Sequence, residues 1–221
     1  HNSSQAQQSI NHALDTGFEN ITIDLIYGLQ NLSNEQWDKN LQLFFKFNLP
    51  HLSAYCLTIE PKTALYKQIN TRKINEIDED KCTYQFDYLM NTMAANDFTH
   101  YEISNFCREG YRAKHNSSYW SGENYLGLGP SAHSFNGLSR QWNISNNNKY
   151  IRTLLSAKPL YDEIYEKENL TDENKFNEYI LTSLRTCEGC NTYLIHERFG
   201  KEKFDNFISH CQQKKENGLL T

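Results

Sequence analysis

The sequence predicts an α/β fold, part of a parallel-stranded barrel followed by a small helical appendage. Three observations predict it. Two apolar runs, residues 21–27 and 51–60, lie about 30 residues apart with a helical pattern between them, which is the layout of a βαβ unit. Strand and helix patterns keep alternating to residue 105, as in α/β proteins and barrels. From residue 171 the pattern turns wholly helical.

Each element has a local reason. Ser4 and Gln7 read as a capping box for a first helix whose apolar face is Ala6, Ile10, Ala13 and Leu14, ended by Gly17. Residues 21–27 (ITIDLIY) are nearly continuously apolar, as expected of a parallel strand covered on both faces. Ser33 and Gln36 form a second capping box, with Trp37, Leu41, Phe44 and Phe45 on one helical face, and Pro50 stops that helix. Residues 51–60 read as the next strand. Asp78 precedes a helix carrying Cys82, Phe86, Leu89, Met90 and Met93, and a strand follows at 99–103. Beyond the central stretch, 146–156 is a short helix and 159–170 a polar, acidic connector. Three short helices follow, two of them closed by Gly200 and Gly218. The expected division is a partial barrel (1–105), a barrel-capping and ligand-loop extension (106–170) and a truncated helical domain (171–221).

Composition bounds the function. The 221 residues carry a net charge of -5, which gives nucleic acid or an anionic membrane no electrostatic support. Residues 171–221 hold seven Lys or Arg against eight Asp or Glu, so the helical tail offers no basic footprint for phosphates. No apolar run approaches the roughly 18 to 20 residues of a membrane-spanning helix. The six scattered cysteines read as reduced thiols of a cytoplasmic protein. Cys187 and Cys190 make at most half a metal site. The chain starts at His1 within a helical pattern and stops soon after another, so it is expected to be a fragment of a longer protein.

Residues 100–135 concentrate three histidines (His100, His115, His133) with five Tyr or Trp in 36 positions, the composition of a segment that wraps a ligand. His115 in HNSSYW, with Tyr119 and Trp120, reads either as a ligand or acid–base histidine beside aromatic walls or as a loop histidine beside core rings. Gly127 and Gly129 allow close backbone approach to a ligand, or simply a tight turn. Asp24 sits between aliphatic neighbours on a strand. An ionised carboxylate there costs several kcal/mol unless paired, so it is either a ligand contact or a buried carboxylate bonded to backbone or to an arginine. Thr58 and Glu60 end the second strand, on the side where barrels build their sites.

Six strings, DLIYGL (24–29), HLSAYCLTIEPKT (51–63), HYEISNF (100–106), HNSSYW (115–120), YLGLGPSAHSF (125–135) and LTSLRT (181–186), occur in an order and spacing that resembles the oxygen-independent coproporphyrinogen III oxidase family of radical S-adenosylmethionine proteins. HNSSYW resembles its haem-chaperone branch. The resemblance implies the C-terminal part of a partial (β/α)6 TIM-like barrel and a small winged-helix-like domain. It also implies a [4Fe–4S] cluster on a C-x3-C-x2-C loop, with S-adenosylmethionine on its unique iron. That loop is absent from this sequence, so the chain by itself holds no cluster ligands and is expected to be inactive. By the same resemblance Asp24, Thr58 and His133 fall at positions near S-adenosylmethionine, and His115 falls on the histidine associated with haem. Gln30 departs from the family's usual Pro after YGL, which is expected to loosen the adjoining loop. The implied functions are a chaperone that hands haem to respiratory haem proteins or, alternatively, an oxidase that decarboxylates porphyrinogen propionates.

Overall fold

A computed structural model of the chain describes residues 2–158 and 160–219. It divides into two compact units, His1–Ala113 and Lys114–Thr221.

The first unit opens with α1 (Ser3–Asp15). Its capping box lies two residues earlier than expected: Gln5 N–H donates to Asn2 Oδ1 at 3.0 Å and Asn2 N–H donates to Gln5 Oε1 at 2.9 Å. Asn caps as well as Ser does, so the outer pair prevails. Strand β1 (Thr22–Tyr27), helix α2 (Asn34–Lys46) and strand β2 (His51–Cys56) then form the anticipated βαβ unit. The two strands pair in parallel, with Asp24 opposite Ser53. Ser33 and Gln36 cap α2 as expected. Helices α3 (Ala64–Asn70) and α4 (Glu79–Ala95) follow, the latter capped by Asp78. Strands β3 (Thr99–Glu102) and β4 (Asn105–Cys107) then close as an antiparallel hairpin.

The sheet order is β1-β2-β4-β3. The alternating parallel pattern therefore breaks at β4, which inserts antiparallel to β2 between it and β3. Helices cover one face. Trp37, Leu41 and Phe44 of α2 and Leu89 and Met93 of α4 bury against Leu52, Ala54 and Phe106 of the sheet. Ile23 and Leu25 join that core, whereas Thr22, Asp24 and Ile26 are exposed. This corrects two expectations. β1 is an edge strand covered on one face, and Asp24 is not a carboxylate sealed among aliphatics. The third correction concerns β2, which ends at Cys56, leaving Thr58 and Glu60 in the loop beyond it.

The second unit begins with α5 (Lys114–Trp120). Strands β5 (His133–Phe135), β6 (Ser139–Asn143) and β7 (Tyr165–Asn169) form an antiparallel sheet in that order. Between β6 and β7 lie α6 (Asn147–Leu154) and a 3-10 turn, Tyr161–Glu163. The connector expected over 159–170 thus contains a strand; its first residue, Pro159, lies outside the described residues. Helices α7 (Asp172–Ser183), α8 (Thr192–Phe199) and α9 (Lys201–Glu216) complete the unit. Gly200, at φ +85°, turns the chain between α8 and α9, as its position predicted. Leu220 and Thr221, at the end of the predicted tail, also lie outside the described residues. Among the described residues, no helix is long and apolar enough to cross a membrane.

Candidate functional site

The face of the first sheet turned away from its helices is polar. One register line crosses all four strands: Asp24 on β1 opposite Ser53 on β2, Ser53 opposite Asn105 on β4, Asn105 opposite Glu102 on β3. Ser53, Asn105 and Glu102 are each only 3% exposed, and Asp24 is open. Glu102 Oε1 accepts from the Ser104 N–H at 3.1 Å and from the Asn105 side-chain N–H2. That second bond fixes the amide, because a carboxylate oxygen takes the nitrogen side. Asn105 Oδ1 is left buried without a donor among the described residues. A buried acceptor in that state is short of about 1–3 kcal/mol of hydrogen bonding.

One rung further toward the N-terminal end of β2, His51 forms a second polar group. Its Nε2 lies 2.8 Å from the Tyr101 hydroxyl, and its Nδ1 lies 2.7 Å from Thr22 Oγ1. The Tyr101 oxygen also accepts from the Ala113 N–H at 3.3 Å, and a Tyr101 proton given to Nε2, with the ring N–H on Nδ1, satisfies every one of these contacts. Burial holds the His51 pKa below the usual imidazole value, and the Asp24 charge pulls the other way. Burial likewise pushes Tyr101 up to about 12. A neutral histidine donating to Thr22 fits both shifts.

The loop after β1 carries the mouth of this face. Gly28 has φ +76°, and a Cβ there would meet Cys82 Sγ at 2.6 Å and Cys56 Sγ at 3.3 Å. Its N–H donates to the fully buried Gln85 at 2.9 Å. Gln85 also donates to Leu32 O and Asn34 Oδ1, and its carbonyl accepts from the Trp37 indole at 3.0 Å. Lys81 donates to the carbonyls of Leu29 and Gln30, and Gln30 donates to Asn75 O. The loop expected to be loosened by Gln30 is therefore tied from α4. Thr58 is exposed two residues past β2, its hydroxyl 3.5 Å from Cys56 O. Of the predicted residues in this unit, Asp24 stands in the polar row and Thr58 does not.

In the second unit, His115 is exposed, and its imidazole has no hydrogen-bond partner among the described residues. Tyr119, one helical turn on, meets it edge-on at 5.0 Å. Tyr119 in turn meets Tyr125 at 4.8 Å, and Tyr125 lies 6.0 Å from Phe135. An open imidazole thus heads a line of rings. Beside Tyr125, Leu126 and Phe135 is a shallow groove of about 450 Å3. His133 is exposed on β5, opposite Trp142 and on the strand face it shares with Phe135. Gly127 serves packing: a Cβ there would meet His133 O at 2.1 Å. Ser134 and Asn143 pin the same turn through Gly127 N–H and Gly129 O. His100, the remaining histidine of the central stretch, stacks on Phe106 at 4.2 Å on the helix-covered face. Among the described residues no three His, Cys, Asp or Glu side chains gather to hold a metal ion.

Sequence reasoning singled out Asp24 and His115 but gave no role to Ser53, Glu102, Asn105 or Gln85. The first three alternate onto one face only once the hairpin is known.

No family model matches the chain. Among curated proteins it is 29% identical over 212 residues to the haem chaperone HemW of Bacillus subtilis, covering 96% of this chain and 55% of that protein. It is 32% identical to HemW of Lactococcus lactis, over 80% of this chain and 46% of that protein. It is 31% identical to the mitochondrial radical S-adenosyl methionine domain-containing protein 1 of Dictyostelium discoideum, over 100% of this chain and 55% of that protein. The chain therefore spans about half the length of the curated relatives it matches. Among solved structures, coproporphyrinogen III oxidase from Escherichia coli, a radical SAM enzyme, superposes with a TM-score of 0.74 at 17% identity, over 99% of this chain and 52% of that one. The fold is accordingly that of the matched half of that enzyme. Over most of its length the chain is thus similar to proteins named haem chaperone HemW, and in fold to coproporphyrinogen III oxidase.

Proposed function

We propose that the protein to which this chain belongs is a haem-binding chaperone that passes haem to respiratory haem proteins in the cytoplasm. The observation that carries the reading is His115: an open imidazole without a hydrogen-bond partner among the described residues, at the head of the Tyr119–Tyr125–Phe135 line, in a chain whose curated relatives include haem chaperones. An iron ligand needs a free ring nitrogen, and flat aromatic surfaces suit a macrocycle. The six free cysteines agree with a reducing compartment.

S-adenosylmethionine and a [4Fe–4S] cluster, when bound to the whole protein, would supply radical or redox chemistry. Asp24 and Thr58 are the residues of the first unit proposed to face the nucleoside. The polar row fits such a ligand. Asp24 and Asn105 Oδ1 are acceptors awaiting donors, and S-adenosylmethionine offers an ammonium, ribose hydroxyls and an adenine amino group. This chain's part is to position those donors. The functional division we propose is a barrel portion to residue 105, a ligand-bearing extension to 170, and a helical domain from 171.

The test is haem titration of the full-length protein. Wild type is expected to develop a haem-bound absorption spectrum that His115→Ala weakens at least tenfold; an unchanged spectrum in His115→Ala removes the residue as ligand. The second reading is an oxidase acting on porphyrinogen propionates, favoured by the fold match alone. Decarboxylation of coproporphyrinogen by the full-length protein at a rate useful for catalysis would replace the chaperone reading with this one.

A further inference from the structure

Trp120 closes α5, and Arg185 lies just past α7, 65 positions later in the chain. They meet in the second unit. The Arg185 guanidinium carbon lies 4.9 Å from the centroid of the Trp120 ring. The stack leaves two donors in an unusual state: Trp120 Nε1 and Arg185 Nε are both shielded from solvent, and neither has an acceptor among the described residues. Both groups are donors only, so no flip or change of tautomer relieves them. Elsewhere in this unit Arg140 pairs with Glu178, Lys149 with Glu163, Lys175 with Asp172 and Lys203 with Glu173. A shielded guanidinium Nε–H beside a shielded indole N–H calls for one kind of complement, an acceptor, and the guanidinium charge favours an anionic one. A carboxylate matches a guanidinium edge, and desolvation strengthens the bond.

We propose that Arg185 and Trp120 form a carboxylate subsite that takes a propionate of a tetrapyrrole. The inference rests on the tetrapyrrole-binding reading above and gives that ligand a second anchor. The anchor is independent of iron, because it involves neither His115 nor the metal. Trp120 and His115 are five residues apart on one helix, about 140° around its axis. The subsite therefore does not share the face that presents His115 and Tyr119. It also recasts two of the sequence strings. The Trp of HNSSYW and the Arg of LTSLRT act as a pair, and the indole serves through its N–H as well as its ring.

The experiment uses the full-length protein and three probes: haem, haem dimethyl ester, and metal-free coproporphyrin followed by fluorescence. Wild type is expected to bind haem about tenfold or more tighter than the diester, a charged hydrogen bond's share. Arg185→Gln should abolish that preference, and Arg185→Lys should restore part of it. Trp120→Phe, which keeps the ring and removes the N–H, should weaken acid binding and leave ester binding unchanged. His115→Ala should weaken haem and its diester alike while leaving coproporphyrin unaffected. A merely structural Arg185 would lower binding of acid and ester equally. An unchanged acid-over-ester ratio in Arg185→Gln, with coproporphyrin affinity also unchanged, overturns the subsite even if haem binding through His115 stands. Retained coproporphyrin binding that depends on Arg185, with His115→Ala showing a wild-type haem spectrum, supports the subsite and sinks His115. Failure of wild type to bind any of the three probes overturns both.

Discussion

Asp24 is open to solvent, and this decides what replacing it does. An exposed carboxylate contributes little to the fold, so Asp24→Ala should change unfolding free energy by less than about 0.5 kcal/mol. The same variant of the full-length protein should bind S-adenosylmethionine more weakly by calorimetry. A large loss of stability with unchanged binding would show that the carboxylate is structural. Its neighbour His51 behaves oppositely. Burial lowers its pKa below the 6.5 of a free imidazole, so the unfolded chain takes up the proton first. Stability from this site is present above that value and falls as pH drops below it. Thermal melts should show that slope, and His51→Gln should flatten it. Both residues lay in apolar-looking strings, and the sequence marks the Asp as anomalous. It cannot say whether the strand has one covered face or two, and that alone separates a costly buried charge from an open ligand contact.

At the level of elements, the loop after β1 depends on one glutamine in α4. Gln85→Leu keeps the volume but strips the partners of Gly28 N–H and Asn34, so it should destabilise by about 2 kcal/mol or more in chemical denaturation. Leu41→Ala, at a fully buried position in α2, should cost about 2–5 kcal/mol through the cavity it leaves. Helices α2 and α4 were legible because their caps and 3.6-residue period agree. The hairpin of β3 and β4 was not, since its turn at Ile103 and Ser104 carries no glycine or asparagine, the usual mark of a tight hairpin. β7 was hidden for another reason. Its sequence YEKEN is charged because the strand lies at the exposed edge of a small sheet, where polar residues are tolerated. Asn105 and Glu102 became part of a candidate site only through that unread hairpin.

For the chain as a whole, the notable feature is that among the described residues β1 has a neighbouring strand on only one side. Its free edge is flanked by Ile26, 47% exposed, and the same face carries Tyr55, 40% exposed. An open parallel edge with apolar side chains invites pairing between copies. The 221-residue chain studied alone should associate in a concentration-dependent way by sedimentation velocity, and Ile26→Lys should reduce it. Monomeric behaviour at high concentration would mean that the edge is protected in solution. The family and the barrel-plus-helices architecture were legible from ordered strings and periodicity. The line of rings from His115 to Phe135 depends on chain crossings in the second unit that no local pattern encodes.

The sulfurs crowding Gly28 make this strand mouth open to chemical probing. Cys56 is exposed, and partial desolvation together with the adjacent Cys82 thiol raises its pKa to about 11. Alkylation at neutral pH should therefore be slow and should accelerate steeply in base. Once attached, an adduct would have no room beside the glycine and would wedge the turn away from α4. Labelling rate at this one thiol, read by mass spectrometry, should thus report how firmly the turn is held against α4.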